Sequence, residues 1–115
     1  MPVIHVLHRH TPDDANAILR RVCETVSAAA DIPPDKVWVF WHPLEPALTW
    51  RADWNDDPRA GPIVRIFCRR SHAAERVQRI VATVRESLGA ALACAVTSIF
   101  VQVIRVEDEE VFNVS

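Results

Sequence analysis

Glycine is almost missing from this chain. Gly61 and Gly89 are the only two in 115 residues, so no glycine-rich loop exists to cradle a phosphate or a dinucleotide. A basic block is missing as well. The 13 Lys and Arg are interleaved with 15 Asp and Glu, for a net charge of -2. That balance lacks the electrostatic footprint of a nucleic-acid binder, and no nucleic-acid partner is expected. The three cysteines, Cys23, Cys68 and Cys94, are odd in number and widely spaced. No pair has metal-ligand or redox-motif spacing, so they read as free buried thiols in a reducing, cytoplasmic setting. A membrane span is missing too. The apolar stretch from Leu88 to Ile104 is just short of the usual length and is interrupted by Gly89, Thr97, Ser98 and Gln102. The apolar start is short and runs straight into His and Arg, so no secretory signal is expected.

What the chain does have is a repeat. Pro2-Val3-Ile4-His5-Val6-Leu7-His8-Arg9-His10-Thr11 aligns with Pro62-Ile63-Val64-Arg65-Ile66-Phe67-Cys68-Arg69-Arg70-Ser71. Pro meets Pro, Arg9 meets Arg69, and Thr11 meets Ser71. Val37 to Trp41 then aligns with Ile99 to Val103 at nearly the same offset. Internal repeats carry more weight about fold than any local motif.

The elements follow the repeat. Val3 to His8 is β-branched and aliphatic, hence a strand. Thr11-Pro12-Asp13-Asp14 predicts a helix start, with a capping hydroxyl, Pro in the first turn and two acids near the positive dipole end. Ile18, Leu19, Val22, Val26 and Ala29 recur at helical spacing. Asp31-Ile32-Pro33-Pro34-Asp35 stops that helix, and Val37 to Trp41 is a second strand. A connection of about residues 42–61 follows, rich in Pro, Asp and Trp, with room for a short strand at Leu48 to Trp50. Ile63 to Cys68 is the third strand. Ser71 is expected to cap a second helix carrying Val77, Ile80, Val81, Val84 and Leu88 on one face. Ile99 to Val106 is the fourth strand, followed by an acidic tail from Glu107 to Glu110.

The chain is therefore expected to be one α+β domain of two β-α-β units, about residues 2–41 and 62–106. Right-handed crossovers make each unit a parallel strand pair. A pseudo-twofold would join the pairs into one four-stranded mixed sheet with both helices on one face. The other face is left apolar and bare, which predicts an oligomer.

Candidate residues for chemistry are few. With Met1 removed, Pro2 becomes a secondary-amine terminus and a base; with Met1 retained, it simply opens an edge strand. Arg69 and Arg70 either grip a carboxylate with paired hydrogen bonds or are solvated at a strand end. His8 and His10 could share a strand face, but a zinc site needs a third ligand, and the repeat positions are Cys68 and Arg70. They read as surface histidines, and neither a metal nor a cofactor is expected. Trp41, Trp50 and Trp54 suit a pocket, a core or a subunit interface equally.

A Met-Pro start on an apolar strand, paired β-α-β units and a Pro-Pro-Asp turn before the second strand resemble the tautomerase superfamily in a fused, two-unit bacterial form. That superfamily includes 4-oxalocrotonate tautomerase, macrophage migration inhibitory factor, malonate semialdehyde decarboxylase and cis-3-chloroacrylic acid dehalogenase. The resemblance spans nearly the whole chain. It implies a homotrimer acting on a small carboxylate, with Pro2 as general base or acid and no cofactor. It implies that Arg70 or Arg69 holds the carboxylate, with Arg70 preferred, and that Trp38 and Phe100 form an apolar wall. Phe100 stands where the inhibitory factor has a tyrosine, so the ring is kept without its hydroxyl. Asp35 falls where the decarboxylase carries an acid that activates water, though an acid in that turn also serves structure. The implied reaction is proton transfer on a keto or enol acid. A decarboxylase or hydratase with cationic Pro2, and a non-catalytic trimeric protein of the same fold, are the alternatives.

Overall fold

Two parallel strand pairs meet along an antiparallel seam in the computed structural model, which describes residues 2–57 and 59–108. Met1 and the acidic tail beyond Asp108 lie outside the described residues. Strand β1 (Val3–His8) pairs in parallel with β2 (Trp38–Pro43), and β3 (Ile63–Arg69) pairs in parallel with β4 (Phe100–Val106). β1 and β3 run antiparallel with Ile4 opposite Ile66 and Val6 opposite Val64, giving the order β2-β1-β3-β4. Helix α1 (Ala15–Ala30) and helix α3 (Ala74–Leu92) cover one face, and a short helix α2 (Ala52–Asp56) lies in the connection between the units. The expected α+β architecture is the observed one.

The core lies between the sheet and the two long helices. Strand residues of even number in β1 and β3 (Ile4, Val6, Val64, Ile66, Cys68) meet Val22 and Val26 of α1 and Ile80, Val84 and Leu88 of α3. The helical stripe of α1 runs through Ile18, Val22, Val26 and Ala30; Ala29, expected on it, is exposed. Burying each such aliphatic side chain is worth about 1.5–3 kcal/mol.

Both helices start later than their hydroxyls suggested. The Ala15 amide donates to the Pro12 carbonyl at 3.2 Å, so Thr11 to Asp14 close a separate turn and α1 begins after it. Ser71 is engaged elsewhere. Its hydroxyl meets the Asp108 carboxylate at 3.3 Å, and Ala73 stands at the helix start with no side-chain cap. Both helices end alike, in a left-handed residue: Asp31 at φ 55° and Ala93 at φ 52°. Asp tolerates that conformation better than Ala does.

The strand expected at Leu48 to Trp50 does not form. Pro46 opens a one-turn 3-10 helix over Pro46–Leu48, and Leu48 and Trp50 are left exposed. α2 follows and brings Trp54 into the interior, where its indole N–H donates to the Gly61 carbonyl at 3.0 Å. Arg51 stacks its guanidinium over that ring at 4.6 Å. Gly61 has no room for a side chain, since an added Cβ would stand 2.8 Å from Ile99 and 2.9 Å from the Ser98 carbonyl.

The face opposite the helices shows three rows across the sheet. Trp38, Val3, Phe67 and Ile104 form one; Phe40, His5, Arg65 and Gln102 the middle one; His42, Leu7, Ile63 and Phe100 the third. Trp38, Phe40 and Phe100 are 45%, 45% and 58% exposed on it.

His8 is not the surface residue expected. It is 5% exposed, donates from Nε2 to the Ala60 carbonyl at 2.9 Å and accepts the His10 amide at Nδ1. Those two bonds fix a neutral tautomer, which stacks against Trp54 and Trp41. Burial pushes its pKa below the ordinary 6.5, partly opposed by the Ala60 bond. The unfolded chain then binds a proton that the fold refuses, so stability is full above about 6.5 and falls as the pH drops below it. Unfolding temperatures at pH 7.5 and 5.5 should therefore differ, and His8→Gln should shrink the difference. An equal difference in that variant would assign the acid sensitivity to other groups.

Candidate active site

The antiparallel seam sets the start of β1 beside the end of β3. Val3 stands opposite Phe67, so Pro2 lies at the level of Cys68. The Pro2 ring is fully buried, and its carbonyl accepts the Trp38 amide at 3.2 Å. Trp38 is held in turn by its indole N–H, which donates to the Asp35 carbonyl at 3.0 Å. Asp35 sits in the 3-10 turn Pro34–Lys36, on the surface. Pro2, Trp38 and Asp35 are thus brought to one end of the sheet by the Pro-Pro-Asp turn.

Cationic groups gather at the same end. Arg69 closes β3, half-buried, and its Nε is buried without a hydrogen-bond partner among the described residues. Arg70 follows the strand; its guanidinium forms an ion pair with Glu107 at the surface. Strand parity thus sends Arg69 to the open face with Phe67, whereas Arg70 is occupied by an acid. Arg105 on β4 was not foreseen. One of its terminal nitrogens, Nη2, faces three carbonyls, those of Arg70 at 2.8 Å, His72 at 2.6 Å and Arg69 at 3.4 Å. It ties down the loop that leaves β3, while its own Nε is buried with no partner among the described residues. The clue in the sequence was a charge at a helix-facing position in the run Val101, Val103, Arg105.

The electrostatics agree with the geometry. Burial lowers the pKa of His72, and the charges of Arg76, Arg105 and Arg69 lower it further. Burial pushes the Cys68 thiol up, against the pull of Arg105. Such a setting disfavours any added cation and favours a bound carboxylate. No group of three or more His, Cys, Asp or Glu could hold a metal ion among the described residues.

Phe100 lies elsewhere. It pairs with Ile63, which is opposite Leu7, so it stands four residues along β1 from Val3, about 13 Å away. Within one chain Trp38 and Phe100 belong to opposite ends of the sheet.

No family model matches the sequence, and no curated protein matches it. Solved structures do. A native fused 4-OT superposes with a TM-score of 0.82 at 15% identity, covering 97% of this chain and 91% of its own. Another fused 4-OT, R7, an asymmetric trimer, gives 0.79 at 13%, covering 92% and 87%. The FG41 malonate semialdehyde decarboxylase inhibited by 3-bromopropiolate gives 0.66 at 19%, covering 97% and 87%. The chain is thus an α+β protein built of two β-α-β units. Its fold is that of the fused 4-OT structures.

The carbonyl bonds of Arg105 yield a stability test. Arg105→Met leaves three carbonyls without their donor, and hydrogen bonds to a charged group are worth about 1.5–3 kcal/mol. Denaturant unfolding should show a loss in that range. A variant as stable as the parent would show that water serves the loop equally well.

Proposed function

We propose that the chain is a tautomerase-superfamily enzyme that moves a proton on a small keto or enol carboxylic acid. Its Pro2 acts as base or acid once Met1 is removed. The observation that supports this reading is the burial of Pro2 at the level of Cys68, at the sheet end where β3 closes with Arg69. An α-amino group titrates near 7.7–8 in model peptides. Desolvation and nearby guanidinium charge disfavour its cation, which leaves a base poised near neutral pH. Arg69 is the first candidate to hold the substrate carboxylate, because its Nε has no internal acceptor. Arg70 is second, since Glu107 must release it. Trp38 supplies an apolar wall. Phe100 reaches a Pro2 site only from another copy of the chain.

That requirement fits a homotrimer. The face carrying Trp38, Phe40 and Phe100 needs cover, and the R7 fused 4-OT is a trimer. Sedimentation should give three chains per particle. A monomer stable at micromolar concentration would sink the assembly.

A second reading, a decarboxylase or hydratase with cationic Pro2, draws on Asp35. Its carboxylate is exposed and makes no hydrogen bond with any described residue, which leaves it free to position water. The two readings differ in pH profile, because a base needs neutral Pro2 and an acid needs the cation. A turnover screen with keto and enol acids decides the main proposal. Pro2→Ala should lower turnover about 10²–10⁴-fold, the usual worth of a general base, while the fold persists. Unchanged turnover in Pro2→Ala would exclude the role. Intact mass showing a retained Met1 would favour a binding protein without catalysis.

A further inference from the structure

The pseudo-twofold sets Pro62 at the far end of the sheet where Pro2 stands at the near end. The Phe100 amide donates to the Pro62 carbonyl at 3.2 Å, just as the Trp38 amide donates to the Pro2 carbonyl at 3.2 Å. Beside Pro62 lies a cleft of about 590 Å³. Arg65, Arg85, Thr97, Ser98 and Phe100 are among the residues that line it.

Its charges are unevenly matched. Arg51 and Asp53 also face the cleft, but they neutralise each other through bonds of 2.7 and 2.8 Å. Arg51 spends its other donors on the Gly61 carbonyl at 2.9 Å and the Ser98 carbonyl at 3.2 Å. Arg65 and Arg85 are left over. Among the described residues neither is ion-paired or hydrogen-bonded, and the Nε of Arg85 is buried with no partner. Two guanidinium groups left without an acid or carbonyl partner in one cleft are matched by an anion, which their terminal N–H groups can grip.

We infer that this cleft is a second anion site, which binds a small carboxylate or dicarboxylate without converting it. The nitrogen of Pro62 belongs to the Gly61–Pro62 peptide. Its lone pair is delocalised into the carbonyl, and it carries no proton, so it can neither accept nor donate one. The repeat thus builds two cationic ends, and only one of them has a nitrogen able to do chemistry. The ligand class rests on the proposed function; the existence of the site rests on Arg65 and Arg85 alone.

Titration calorimetry with malonate, a small unreactive dicarboxylate, tests it at low salt. The wild-type chain should bind two malonates. Arg85→Gln should weaken one of the two about tenfold or more and leave the other. Arg65→Gln, on the sheet rather than on α3, should act in the same direction and guards against misfolding of the first variant. Arg69→Gln should weaken only the other event. One malonate per chain, lost in Arg69→Gln and retained in both Arg85→Gln and Arg65→Gln, would overturn the second site and leave the Pro2 site standing. Two malonates, both insensitive to Arg69→Gln, would overturn the Pro2 clamp instead. No binding to the wild type, or a cleft filled by a side-chain carboxylate of another copy, would overturn this inference.

Discussion

The antiparallel seam between β1 and β3 governs everything else in the molecule. Ile4 faces Ile66 and Val6 faces Val64 across it, all fully buried. Each β-α-β unit adds its second strand in parallel, and the right-handed crossover sends each helix to the same side. The second strands must therefore become the outer edges, and the helices must share a face. The seam also reverses direction between the units, so the two prolines that open them end up far apart. A parallel seam would have set Pro2 and Pro62 side by side, with no arginine from the end of β3 near Pro2.

The two units and their pseudo-twofold were legible in the sequence because the repeat aligned proline with proline over apolar strands; which strands meet at the seam was not. Element types and order followed from periodicity, and the observed strand and helix limits differ by only a few residues. The errors were local. Thr11 and Ser71 look like caps, but a cap needs a free hydroxyl and a helix that starts there. Pro12 drew the first into a turn, and Asp108 drew the second away. His8 looked exposed because strand ends often are. Trp54 covers it from the connection between units, a segment with no period to read. The candidate site was half legible. The Pro-Pro-Asp turn and the arginines at the end of β3 were visible. Arg105 was not, because its role depends on three carbonyls from a loop more than thirty residues earlier.

Strand parity explains why neighbouring arginines have different environments. Arg69 continues the series Arg65, Phe67 on the open face, and Arg70 leaves the sheet toward Glu107. Arg105 belongs to the opposite, helix-facing series of β4, half-buried beside the loop that leaves β3. Its charge is consumed structurally, by carbonyls rather than by an acid. Carbonyls do not cancel a formal charge, so Arg105 still raises the positive potential felt by His72 and Cys68. A residue can thus hold a loop in place and polarise a site at once.

The twofold symmetry of the backbone is not carried into the chemistry. In the middle row of the open face the counterpart of His5 is Arg65, and the counterpart of Phe40 is Gln102. His5 stacks on Phe40 and shares a 2.7 Å hydrogen bond with His42, so one half of that row is aromatic and the other half charged and polar. A cyclic assembly can use such a difference, because each copy then presents an aromatic half to a neighbour's polar half instead of pairing like with like. The same reasoning applies to the two ends of the sheet. The repeat supplies two similar scaffolds, and they differ in that Pro62 is linked through its nitrogen to Gly61. Around Pro62 the cations are Arg65 and Arg85, where the Pro2 end has Arg69 and Arg105.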